Sequence, residues 1–117
     1  MTSFPIDLGP HEERELELML LGQKNIAMFE CVPQEFESYL QEGRFKYLAH
    51  DDYTHIIYCP NYEQEVMVFT QLIDESRVRG FVADLERKIG QALGYSEQEI
   101  GVYLHHIADL LVENDKA

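Results

Sequence analysis

Two β-prone runs, residues 44–50 and 53–59, flank the acidic pair Asp51 and Asp52, and Pro60 stops the second. In the first run Phe45, Tyr47 and Ala49 alternate with Arg44, Lys46 and Leu48, the two-residue period of a strand. Aromatic and branched residues dominate the second. Proline cannot donate to a ladder, and Asn61 can cap a following helix. The chain is therefore expected to form a hairpin over residues 44–59, with Asp51 and Asp52 as its turn.

Around the hairpin the apolar spacing is mostly helical. Pro10 suits a first helical turn, residues 11–15 place acids near its positive end, and Leu16, Met19 and Leu20 recur at helical spacing before Gly22. This predicts a helix over 10–21. Residues 26–32 suit a buried strand ending at Pro33. Phe36, Tyr39 and Leu40 share a helical face before Gly43, which predicts a short helix over 33–42. Residues 62–73 fit two templates. Tyr62, Val66, Phe69 and Ile73 have helical spacing, while Val66, Val68 and Thr70 alternate with Met67 and Phe69 as in a strand; the helix is the expectation. The apolar stripe changes phase at Asp74, which reads as a fresh cap, and Val78, Phe81, Val82, Leu85, Ile89 and Ala92 then follow the helical rule to Gly94. Ser96 and Glu99 form a Ser-x-x-Glu capping box, with Tyr95 and Ile100 placed as its hydrophobic staple. The helix they open carries Ile100, Tyr103, Leu104, Ile107 and Leu111 on one face, and the last two helices should form an antiparallel pair.

Residues 1–9 hold Phe4, Ile6 and Leu8 between Pro5 and Gly9, and are expected as a docked arm or a frayed tail. At 117 residues the chain suits one domain and is too short for two cores. The order of elements predicts a single α+β domain over 1–117. Its small antiparallel sheet, the strand at 26–32 plus the hairpin at 44–59, is expected to be covered on one face by helices.

Charge is the strongest global signal. The chain has 22 Asp and Glu against 9 Lys and Arg, a net −13. Such a surface repels phosphate backbones and anionic headgroups, so direct nucleic-acid binding is disfavoured. Residues 1–75 hold 15 acids and 4 bases, a balance of −11, whereas residues 76–117 hold 7 acids and 5 bases, a balance of −2. Acidity confers solubility in any case. The sharper expectation is a partner with a basic face, steered in by the field. Mimicry of DNA phosphates is disfavoured because Arg44 and Lys46 interrupt the acids. No apolar run exceeds four residues, against about 20 for a spanning helix, so no membrane span is expected. The first basic residue, Arg14, follows an acidic stretch, the reverse of a secretory leader, and the expected location is cytoplasmic.

Motifs for catalysis are sparse. His50, Asp51, Asp52 and His55 crowd the hairpin turn and offer ligand types that a divalent metal takes. His50 and His55 stand on opposite strands, five residues apart, and match no familiar ligand signature, so they are weak metal candidates and no cofactor is expected. His105 and His106 point about 100° apart on a helix and cannot chelate one ion. Cys31 and Cys59 read as free thiols, and a reactive thiol needs a base or a helix N-terminus beside it. The seven glycines are dispersed, with no phosphate-binding pattern.

Seven tyrosines and six phenylalanines supply large rings, and Tyr47, Tyr53, Tyr58 and Tyr62 gather around the hairpin. Exposed tyrosines beside acids make the composition of a binding site for a basic protein. The candidate partner-binding residues are Glu35, Glu37, Tyr47, Asp51, Asp52, Tyr53, Tyr62, Glu63 and Glu65. In general style the chain resembles the immunity proteins and antitoxins that neutralise basic toxins. No motif assigns it to one family of them, and no functional residue is carried over. The expected function is a non-enzymatic acidic module that binds a basic protein partner, of inhibitor, immunity or antitoxin type. One alternative is a small metal-dependent or thiol enzyme using residues 50–59. The other is an oligomeric scaffold pairing through the last two helices, so that the chain is a monomer or a homodimer.

Overall fold

The computed structural model describes His11 and residues 13–116. Strand β1 (Ile26–Phe29), strand β2 (Lys46–Asp51) and strand β3 (Thr54–Tyr58) form an antiparallel sheet in the order β1–β3–β2, with β3 in the centre. The expected hairpin is present as β2 and β3, but its turn is Asp52 and Tyr53 and not Asp51 and Asp52, because Asp51 still pairs with Thr54; the register places Tyr47 and Ala27 on either side of Ile57. β1 stops at Phe29, short of the expected end at residue 32. Phe29 pairs with His55, within a residue of the start of β3, so the chain beyond it has almost no strand left to bond.

Successive side chains of a strand point to opposite faces, and Ile56 and Ile57, both fully buried, fill two separate cores. Ile56 packs with Ile26, Val66, Phe69, Ile73 and Ile89, beneath helices α3 (Glu63–Arg79) and α4 (Ala83–Ala92). Ile57 packs with Met19, Ala27, Phe36 and Phe45, beneath α1 (Glu15–Leu20), the 3-10 turn Gln34–Phe36 and α2 (Glu37–Gln41). The sheet is thus covered on both faces, which corrects the expectation of one. The reason lies in β3, which is apolar at both parities, as a strand buried on two sides must be.

α1 begins at Glu15 and not at residue 10. Glu13 has φ 67°, a left-handed conformation that a right-handed helix cannot continue through, and the Arg14 N–H closes a turn on the His11 carbonyl at 2.9 Å. Pro10 and the arm expected over 1–9 lie outside the described residues.

Residues 63–73 do belong to a helix, with Tyr62 as its N-cap, but Asp74 does not start another, because α3 runs unbroken to Arg79. The Asp74 carboxylate faces the hairpin instead, 2.6 Å from His50 Nε2. The apolar stripe changes phase there because α3 leaves the core: Ile73 is 7% exposed and Val78 is 86% exposed. The helix stops at Gly80, where φ 75° and ψ −153° suit glycine and little else.

Both arms of the expected capping box are made ahead of α5 (Glu97–Lys116). Ser96 N–H donates to Glu99 Oε1 at 2.7 Å, and Glu99 N–H donates to Ser96 Oγ at 3.1 Å. α4 and α5 approach closely at Gly90, where an added Cβ would lie 2.9 Å from Ile100 Cγ1. The side chain of Leu111 lies outside the described residues. Among the described residues no helix is long and apolar enough to cross a membrane.

Candidate interaction site at the hairpin tip

Asp51 organises the turn. Its Oδ1 accepts the Tyr53 N–H at 2.9 Å, a local bond of the kind that short carboxylates make in turns. Its Oδ2 meets Arg77 Nη1, from the last turn of α3, at 2.5 Å. Arg77 Nη2 also donates to the hydroxyl of Thr54, which is 1% exposed. The Tyr53 amide first, then the Arg77 guanidinium and the Thr54 hydroxyl, hold the Asp51 carboxyl at a pKa of about 2. The hairpin tip is thereby fastened to α3 through a residue 26 positions further along the chain.

A second set of bonds fixes the other side of the hairpin. His55 Nε2 lies 3.2 Å from the Asp52 carbonyl oxygen, and His55 Nδ1 lies 2.6 Å from the Tyr47 hydroxyl. A carbonyl can only accept, so Nε2 donates to it, and in the neutral ring Nδ1 accepts from Tyr47. The two rings are close to parallel, at 11° and with centroids 5.8 Å apart. His50, at the register shift between Ala49 and Asp51, goes to Asp74 on α3. The two weak metal candidates therefore have different partners in different places: His50 belongs to the α3 contact and His55 to the Tyr47 pair. Among the described residues no three metal-ligating side chains converge.

The nine candidate partner-binding residues fall in three places. Tyr47, Asp51, Asp52 and Tyr53 are brought together at the tip, where Tyr53 is 76% exposed and Tyr47 is 47% exposed. Glu35 and Glu37 are exposed on the layer formed by the 3-10 turn and α2. Tyr62 is half-buried just before α3, and Glu63 and Glu65 are exposed in its first turn. At 1.5 Å per residue, Glu63 lies about 21 Å along α3 from Arg77, so it stands far from the tip.

Sequence reasoning missed Arg77 and Asp74, the two α3 residues that hold the hairpin. It also missed a buried polar cluster. Lys24, 2% exposed, places Nζ 3.0 Å from His11 Nδ1 and 2.5 Å from the Leu93 carbonyl oxygen. An ammonium only donates, so His11 accepts at Nδ1 and turns its Nε2–H towards Glu99 Oε1, 4.0 Å away. The His11 ring stacks on Tyr95 with centroids 4.0 Å apart. Burial above all lowers Lys24 to about 8, and burial followed by the Lys24 charge lowers His11 to about 4. Neither residue carries a local signal, because each is defined by partners distant in sequence.

Cys31 is exposed and Cys59 half-buried, both as free thiols. Burial pushes the Cys59 thiol up, which lowers its thiolate fraction and with it its reactivity. No protein-family model, curated protein or solved structure matches the chain.

Proposed function

We propose that the chain is a non-enzymatic, acidic interaction module that binds a basic protein partner through its hairpin tip, in the manner of an inhibitor, immunity protein or antitoxin. The observation that carries this reading is Tyr53, 76% exposed on a turn whose backbone is bonded to Asp51 and fastened to α3 by Arg77. A tyrosine has only two side-chain torsions, so with its backbone already fixed it loses little entropy on binding, which is what an anchor residue needs. Asp51 and Asp52 precede Tyr53 directly in the turn region, and the Asp51 carboxylate is the one paired with Arg77. The net charge of −13 adds a long-range field that favours encounter with a basic face.

Glu35, Glu37, Glu63 and Glu65 have a different role in this reading. They stand away from the tip and contribute to steering, so neutralising them slows association without loosening the bound complex. Affinity purification with the wild-type chain and with Tyr53→Ala tests the proposal. The retained partner should be basic, should be lost as salt rises from about 50 to 500 mM, and should bind the Tyr53→Ala chain about tenfold more weakly or worse. An acidic partner, or one that ignores both salt and Tyr53, would overturn it.

A further inference from the structure

A groove of about 510 Å3 opens between β1, α3, α4 and α5, a size usual for small-molecule sites. Its walls are mainly apolar, with Met28, Ile73, Ile89, Leu93 and Ile100 among them. Four charged side chains also line it: Glu15, Arg77, Glu86 and Glu99.

Three of the four are already engaged. Arg77 is bonded to Asp51 and Thr54, Glu99 serves the capping box of α5, and Glu15 acts on the buried Lys24 ammonium. The Glu86 carboxylate differs, having no hydrogen bond and no ion pair among the described residues. It belongs to a stripe of α4, with Ile89, Gly90 and Leu93, that faces the groove at helical spacing. A half-buried carboxylate on an apolar wall loses hydration without gaining a partner. Burial accordingly raises the Glu86 carboxyl above its ordinary range, and burial followed by the Glu86 charge raises the neighbouring Tyr103 phenol.

We infer that the groove binds a small organic cation, an amine carried on an apolar body, with the body among Met28, Ile73 and Ile100 and the ammonium against Glu86. Charge complementarity favours this class, since the lining holds three carboxylates and one guanidinium that is already paired. An anionic ligand of the same shape would meet the opposite balance. Arg77 lines the groove and also holds the tip, but the inference does not rest on the hairpin proposal, because Glu86, which carries it, is not part of the tip.

Titration of the full chain with 4-phenylbutylamine, 4-phenylbutanol and 4-phenylbutyrate, followed by amide NMR shifts, tests it. The amine should shift the amides of Ile73, Glu86, Gly90 and Tyr103. It should bind about fivefold more tightly than the alcohol and about tenfold more tightly than the carboxylate. Glu86→Gln, which keeps the shape and removes the charge, should bring the amine to the affinity of the alcohol and leave the alcohol unchanged. Ser76→Phe, which fills the groove from α3, should abolish binding of both. Equal binding of the three compounds, no amine-induced shifts at these amides, or an unaffected Glu86→Gln chain would overturn the inference. Loss of partner binding in Tyr53→Ala bears only on the tip.

Discussion

The ammonium of Lys24 caps the C-terminus of a helix that begins 59 residues after it, by donating to the Leu93 carbonyl at 2.5 Å. α4 has no basic residue in its own last turn, so the charge that favours its negative end arrives from the segment before β1. The same ammonium donates to His11, which stacks on Tyr95 at the entry to α5. One buried lysine thus joins the segment before α1 to the junction of α4 and α5.

This cluster predicts a definite pH dependence. His11 is lowered from 6.5 to about 4, so between those values the unfolded chain takes up a proton that the folded chain refuses. Its contribution is complete above pH 6.5 and is lost as the pH falls towards 4. Lys24 is lowered from 10.5 to about 8, so its contribution rises as the pH is raised from 8 to 10.5. Urea unfolding across pH 4–10 should show both slopes. His11→Phe, which keeps a ring against Tyr95, should remove the acidic one, and Lys24→Met should remove the alkaline one. Taking wild type minus variant cancels groups such as Cys59 and Tyr103, whose raised values act in the opposite sense.

Gly80→Ala should destabilise the chain by about 1 to 3 kcal/mol through backbone strain alone. Nothing lies within 4 Å of the Cβ that would be added, so there is no clash to relieve, only φ 75° with ψ −153° to hold. Chemical unfolding of the variant measures the cost.

The elements legible from sequence are those whose signals are local. Asp51 and Asp52 between two β-prone runs mark the hairpin, and Ser96 with Glu99 marks the start of α5. The sequence signal for the boundary between α3 and α4 falls at Asp74, which has the chemistry of a cap but is used by His50, while the true stop is Gly80. The second face of the sheet had a readable trace in the adjacent Ile56 and Ile57. Of the candidate site, Tyr47, Asp51, Asp52 and Tyr53 were legible as neighbours across a turn. Arg77 was not, since only the return path of α3 brings it to the tip. Glu86 could have been found as a carboxylate among the groove-facing residues of α4.

The bracket around Asp51 predicts that the two turn aspartates are not equivalent. Arg77→Met or Asp51→Asn should speed amide hydrogen exchange at Tyr53 and Thr54, because each breaks the link from tip to α3. Asp52→Asn should leave exchange unchanged, since its interaction with His55 runs through the backbone carbonyl.

Recognition of a basic partner at the tip is read from the association rate with the partner retained by the wild-type chain. That rate should fall steeply between about 50 and 500 mM salt and be reduced by Asp52→Asn, with Tyr53→Ala acting chiefly on dissociation. Ser96→Ala should cost about 1 kcal/mol of stability by removing the cap of α5, and leave association and dissociation as they are. A rate indifferent to salt and to Asp52, or binding lost in Ser96→Ala while Tyr53→Ala binds normally, would contradict the account and place the binding surface on the C-terminal helices.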